Sequence, residues 1–131
     1  MKVETIEEYN ALSGEIISAA IEVHKLLGPG LLEVIYEESL MEELHLRGIK
    51  VEHQLSVPIF YKGKELGQPL KLDLLVEDSI IVELKTSKEL ADVHSAQLLS
   101  YLKLSGKKLG LLINFNSVRI KDGLRRIVNG L

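Results

Sequence analysis

From Leu70 to Lys85 the chain runs as two apolar segments joined by the short acidic turn Glu77-Asp78-Ser79, and the pairing of these segments dictates much of what the rest must do. With a three-residue loop, Val76 faces Ile80, Leu74 faces Val82 and Leu72 faces Leu84. This register gives one uniformly apolar face for a core, and a slip of one residue would turn it to solvent. On the other face it sets Asp73 across from Glu83, with Lys85 two residues along and Lys71 across from Lys85. Directly opposed residues have Cβ atoms roughly 5 Å apart, so two bare carboxylates there repel. A divalent cation or a shared proton between them is therefore expected.

A chain of 131 residues fits one domain over 1–131 with a modest core. The absence of cysteine removes disulfides, thiolate metal sites and cysteine nucleophiles together. Residues 1–10 are acidic and polar rather than basic then apolar, and the longest apolar runs fall well short of the ~20 residues of a membrane span. A cytoplasmic protein with no membrane partner is expected. Charge is uneven: residues 1–53 hold 4 Lys/Arg against 11 Asp/Glu, and residues 101–131 hold 7 against 1. The basic end fits either a phosphate-binding face or a surface paired with the acidic helices at the start.

Apolar residues at helical spacing (Ile6, Tyr9, Leu12, Ile16, Ala20, Val23, Leu27) predict a helix over 4–27, stopped by Gly28-Pro29-Gly30. A second helix is expected over about 31–47, ending at Gly48, and an extended segment over 50–61 in which Pro58 argues for an edge strand. Lys62-Gly63-Lys64 reads as a hairpin turn. A third helix over about 92–105, with Ala96, Leu99 and Leu102 or Leu98 inward, precedes a strand over 109–115 buried on both faces. A last strand is expected near 118–121, turning at Asp122-Gly123. The fold class is thus α/β or α+β, a small mixed sheet flanked by helices, with two helices at the N-terminus.

The set Asp73, Glu83 and Lys85 suits metal-assisted phosphodiester chemistry. Carboxylate oxygens suit Mg²⁺ or Mn²⁺, which also take phosphate oxygens, and a lysine beside them can hold the attacking water or stabilise transition-state charge. The main-chain carbonyl of Leu84 is a further candidate ligand. Spacing alone fits equally two surface carboxylates salt-bridged to Lys71 and Lys85.

Gly30-Leu31-Leu32-Glu33-Val34-Ile35-Tyr36 resembles the signature of the GxxExxY protein family. The segments 23–30, 61–64, 73–76, 82–85 and 94–102 are similar to the same family in order, so the likeness runs from about Ile16 to Asn116. That family is placed in the PD-(D/E)XK nuclease-like superfamily. The resemblance implies a restriction-endonuclease-like αβββαβ core with Asp73, Glu83 and Lys85 on the signature positions, although Leu72 stands where that motif has proline. It implies that Glu33 completes the metal site, with Tyr36 on the same helix face. Gln97-x-x-x-Tyr101 is similar to the QxxxY feature of RecB-like nucleases, which lies beside the active site, and His94 shares its face. His24 is expected nearby, packed or hydrogen-bonded to Glu33 across the Gly-Pro-Gly turn, whereas His45 and His53 have no partner at ligand spacing.

The function expected is a Mg²⁺- or Mn²⁺-dependent nuclease acting on nucleic acid, DNA before RNA. The alternatives are a non-catalytic nucleic-acid- or protein-binding module that keeps the fold, and a homodimer whose paired basic C-terminal regions form the substrate channel.

Overall fold

The computed structural model describes residues 2–131. Helix α1 spans Ile6–Leu27 and buries Tyr9, Leu12, Ile16, Ala20 and Val23, the stripe expected from their spacing. Its start is set reciprocally: the Thr5 hydroxyl accepts the Glu8 N–H at 3.1 Å, and the Glu8 carboxylate accepts the Thr5 N–H at 3.0 Å. Gly28, at φ +72°, ends it. Helix α2, Glu33–Leu46, buries Tyr36, Leu40 and Leu44 completely.

The strands follow as β1 (Val51–Val57), a small hairpin of β2 (Phe60–Tyr61) and β3 (Lys64–Glu65), then β4 (Leu70–Val76) and β5 (Ile80–Lys85). Helix α3 (Asp92–Ser105) crosses to β6 (Leu109–Asn114), and β7 (Leu124–Val128) closes the chain. The main sheet has five strands in the order β1-β4-β5-β6-β7, with β5 and β6 parallel and the other neighbours antiparallel. β1 is an edge strand that ends before Pro58, as the missing N–H requires.

Helices α1 and α2 cover one face of the sheet, over Leu74, Val76, Val82, Leu84, Leu111 and Ile113. Leu98 and Leu102 of α3 cover the other, over Leu72, Leu75, Ile81 and Leu112. Each fully buried Leu or Ile contributes roughly 1.5–3 kcal/mol, so both layers hold the central strands in register. Helix α3 comes so close to β6 that a Cβ at Gly110 would lie 2.9 Å from the Leu98 side chain. The αβββαβ succession is present, with the β2-β3 hairpin inserted and β7 appended. No helix among the described residues is long and apolar enough to cross a membrane.

Several expectations are corrected. The inward residues of α3 are Leu98 and Leu102, because that i, i+4 pair faces Gly110; Ala96 is exposed. Residues 118–121 form no strand. Ile120–Gly123 is a 3-10 turn, since Gly123 packs against Asn114 and Ser117 where no Cβ would fit, and the last strand begins only after it. The cations of the basic C-terminal third do not reach the acidic helices: Lys107, Arg119 and Arg125 pair with Asp78, Asp122 and Asp92.

Candidate active site

The pairing of β4 with β5 follows the expected register through Val76–Ile80, Leu75–Ile81 and Leu74–Val82, then stops. The next rungs, Asp73–Glu83 and Leu72–Leu84, are absent because the strands part there. Side chains replace the lost ladder. The Asp73 N–H donates to Glu83 Oε2 at 2.8 Å, and the Leu84 N–H donates to Asp73 Oδ2 at 2.9 Å. Each carboxylate thus spans the gap to the opposite backbone and leaves its second oxygen outside that bond. The parting also breaks alternation: Leu72 packs under α3 whereas Leu74 packs under α1 and α2. The single apolar face expected over Leu72, Leu74 and Val76 is therefore divided at Asp73.

Burial and like charge set the electrostatics. Glu83 is 5% exposed. Desolvation and the neighbouring Asp73 carboxylate push its pKa up to about 8, against the opposing Asp73 N–H and Lys85. Asp73 is raised by burial, held back by the Leu84 N–H and Lys85. Glu33, at the start of α2, is raised by burial and by Asp73, with Lys85 opposing. These couplings place Glu33, Asp73, Glu83 and Lys85 in one electrostatic unit. Near neutral pH the buried Asp73–Glu83 pair holds one proton, chiefly on Glu83. Tyr101 belongs to the same neighbourhood: burial raises its phenol, and the Glu83 and Asp73 carboxylates raise it further.

Lys85 is half-buried and forms no ion pair among the described residues. Its main chain is clamped, because its carbonyl accepts the Phe115 N–H at 2.9 Å. Just beyond, Asn114, 1% exposed, uses its amide as a substitute ladder. Its Oδ1 accepts the Ser87 N–H at 3.1 Å and its Nδ2 donates to the Ser87 carbonyl at 2.9 Å. Replacing Asn114 with Ala leaves these groups unpaired and should cost about 1–3 kcal/mol, measured by chemical denaturation.

The remaining candidates have other places. Tyr36 is fully buried and stacks on Phe115 with centroids 4.6 Å apart. Its hydroxyl donates to the Gly28 carbonyl at 2.5 Å and accepts the Leu31 N–H at 3.1 Å, so it fixes the turn that presents Glu33. His24 does not bond Glu33; its Nε2 lies 2.8 Å from the Ser117 carbonyl, because the 114–117 segment closes over α1 first. His94 caps α3, its Nδ1 accepting the Ala91 N–H at 3.0 Å. Lys71 is exposed and paired across the ladder with Ser56 of β1 rather than with Lys85. Gln97 is exposed. Leu84 contributes its N–H to Asp73, and its side chain is buried in the core.

Two residues beside the site escaped the sequence reading. Gln54 of β1 donates through Nε2 to both oxygens of Glu37, at 3.0 and 3.1 Å. His53, expected to have no partner, lies with Nδ1 3.7 Å from Glu37 Oε1. The available signal was that Glu37 stands four residues after Glu33, one helical turn along the same face.

A family model described as the PD-(D/E)XK nuclease superfamily matches residues 10–127. The chain belongs to this superfamily. The crystal structure of a protein designated SSO0001 is similar over 98% of this chain and 79% of that one, at 20% identity and a TM-score of 0.50, a likeness of fold. Three helices and a mixed five-stranded sheet make an α+β architecture consistent with a restriction-endonuclease-like domain. No curated protein matches the chain. Within the superfamily's motif, Glu83-Leu84-Lys85 reads as the (D/E)XK element and Asp73 as the preceding acid.

Proposed function

We propose that the protein is a divalent-metal-dependent nuclease of the GxxExxY type, acting as one domain and cutting DNA in preference to RNA. The observation that carries this is the crossed pair Asp73 and Glu83, braced on each other's strands where the sheet opens, with Lys85 beside them and Glu33 coupled to them. A structural salt-bridge patch would neutralise such carboxylates with lysine. Here Lys85 makes no ion pair and both acids stay raised, the state of a site short of positive charge.

The donor chemistry fits Mg²⁺ or Mn²⁺. All candidate side-chain donors are oxygens: Asp73 and Glu83, with Glu33 completing the set. No three acidic or histidine side chains among the described residues form a closed cage, and Mg²⁺ needs only one or two carboxylates besides water and substrate phosphate. When bound, the ion would activate water and offset phosphoryl charge. Glu83 must give up its proton to serve as a ligand. Lys85 stabilises the negative charge that builds on the phosphoryl oxygens, and Tyr101 contacts substrate from the α3 side. With aromatic residues at 5% of the chain, stacking on single-stranded bases is limited, which favours a duplex substrate.

The test is incubation of the purified protein with labelled duplex DNA, single-stranded DNA and RNA in Mg²⁺, Mn²⁺ or EDTA. Metal-dependent hydrolysis abolished by EDTA is expected, fastest on duplex DNA. No cleavage of any substrate with either metal would point instead to a non-catalytic module that keeps the fold.

A further inference from the structure

We infer that Gln54 is a positioning residue whose amide, turned out of its strand, ties the buried Glu37 carboxylate to Asp73 and holds Asp73 in its bond to Leu84. The inference deepens the nuclease reading and, for its effect on turnover, rests on it.

Gln54 has φ +49° in the middle of β1. A non-glycine residue there is strained, and such strain persists only where the surroundings enforce it. The position is not arbitrary. β1 pairs with β4 from Val51–Val76 to Val57–Leu70, and the rung that drops out is Gln54 with Asp73. The distortion of β1 therefore falls directly opposite the residue where β4 leaves β5. It turns the amide toward α2, where Nε2 meets both oxygens of Glu37. Glu37 is 7% exposed, so a carboxylate removed from water relies on this amide and on His53. The same amide favours ionised Asp73. One short side chain thus connects a fixed buried anion on α2 to a carboxylate that must hold one orientation.

A purely structural role, covering Glu37, predicts a general loosening when Gln54 is lost. Positioning predicts a local one. Glycine adopts φ > 0 freely, so Gln54→Gly removes the amide and the strain together; Gln54→Asn also tolerates this backbone but is one methylene short. Amide hydrogen exchange by NMR on the metal-free protein reads the Asp73–Leu84 bond at the Leu84 N–H. Both variants should accelerate Leu84 exchange about tenfold, the worth of one hydrogen bond, with the amides of Ile80, Ile81 and Val82 unchanged. In the metal-loaded protein, kcat should fall by about the same factor with KM for duplex DNA unaltered. Unchanged Leu84 exchange overturns the inference, and so does equal acceleration throughout β5. A wild-type protein that neither binds Mn²⁺ nor cuts DNA overturns the nuclease reading instead, and Leu84 exchange still decides the role of Gln54.

Discussion

Lys85→Ala should abolish DNA hydrolysis, lowering kcat by about 10²–10⁴-fold, while the melting temperature moves by no more than a few degrees. The two expectations have separate grounds. The ammonium forms no ion pair among the described residues, and the bond that fixes this position in the fold is made by the main chain, from the Phe115 N–H to the Lys85 carbonyl. Folding therefore depends little on the charge. The site depends on it heavily, because Lys85 is the cation whose field opposes the raised pKa values of Glu33, Asp73 and Glu83 alike. Loss of kcat with KM for DNA retained would mark the charge as acting in the transition state. Equal turnover in the variant would remove Lys85 from the chemistry.

Glu83→Gln should stabilise the metal-free protein at alkaline pH and flatten its dependence on pH. The folded state raises the Glu83 pKa from 4.5 to about 8, so the fold favours the protonated form. That contribution is complete below the unfolded value, declines as pH rises between the two values, and is gone above the folded one. Glutamine is neutral throughout, and its side-chain oxygen can still accept the Asp73 N–H. Denaturant titrations in EDTA should show the two proteins nearly equal at pH 4 and the variant more stable at pH 9, by an amount on the order of a few kcal/mol. Parallel curves over this range would mean that Glu83 ionises as freely in the fold as outside it.

The sequence reading succeeded where a single element decides the outcome. Periodicity and breakers located α1 and α2 to within two residues and α3 to the residue. The turn at Glu77-Asp78-Ser79 set the register, because a slip would have exposed Leu74, Val76 and Val82 together. Failures came where two elements act at once. Alternation places Leu72 with Leu74, but the strands part at Asp73, and that parting is built by side chains bonding across to the neighbouring backbone. Gln54 and Glu37 looked unremarkable because their contact joins β1 to α2, over 17 residues of chain. The end of the chain misled for a similar reason: the 120–123 turn is imposed by close packing on Asn114 and Ser117. His24 has a main-chain partner 93 residues away, which spacing within a helix does not reveal.

The central claim is that Asp73 and Glu83 form a metal site. It is tested most directly by calorimetric titration of Mn²⁺ into the wild-type protein and Glu83→Gln at neutral pH, in two buffers of different ionisation enthalpy. The account predicts binding by the wild-type protein with release of close to one proton, since Glu83 must ionise to bind, and no binding by the variant. Equal binding by both proteins, or none by either, would contradict it.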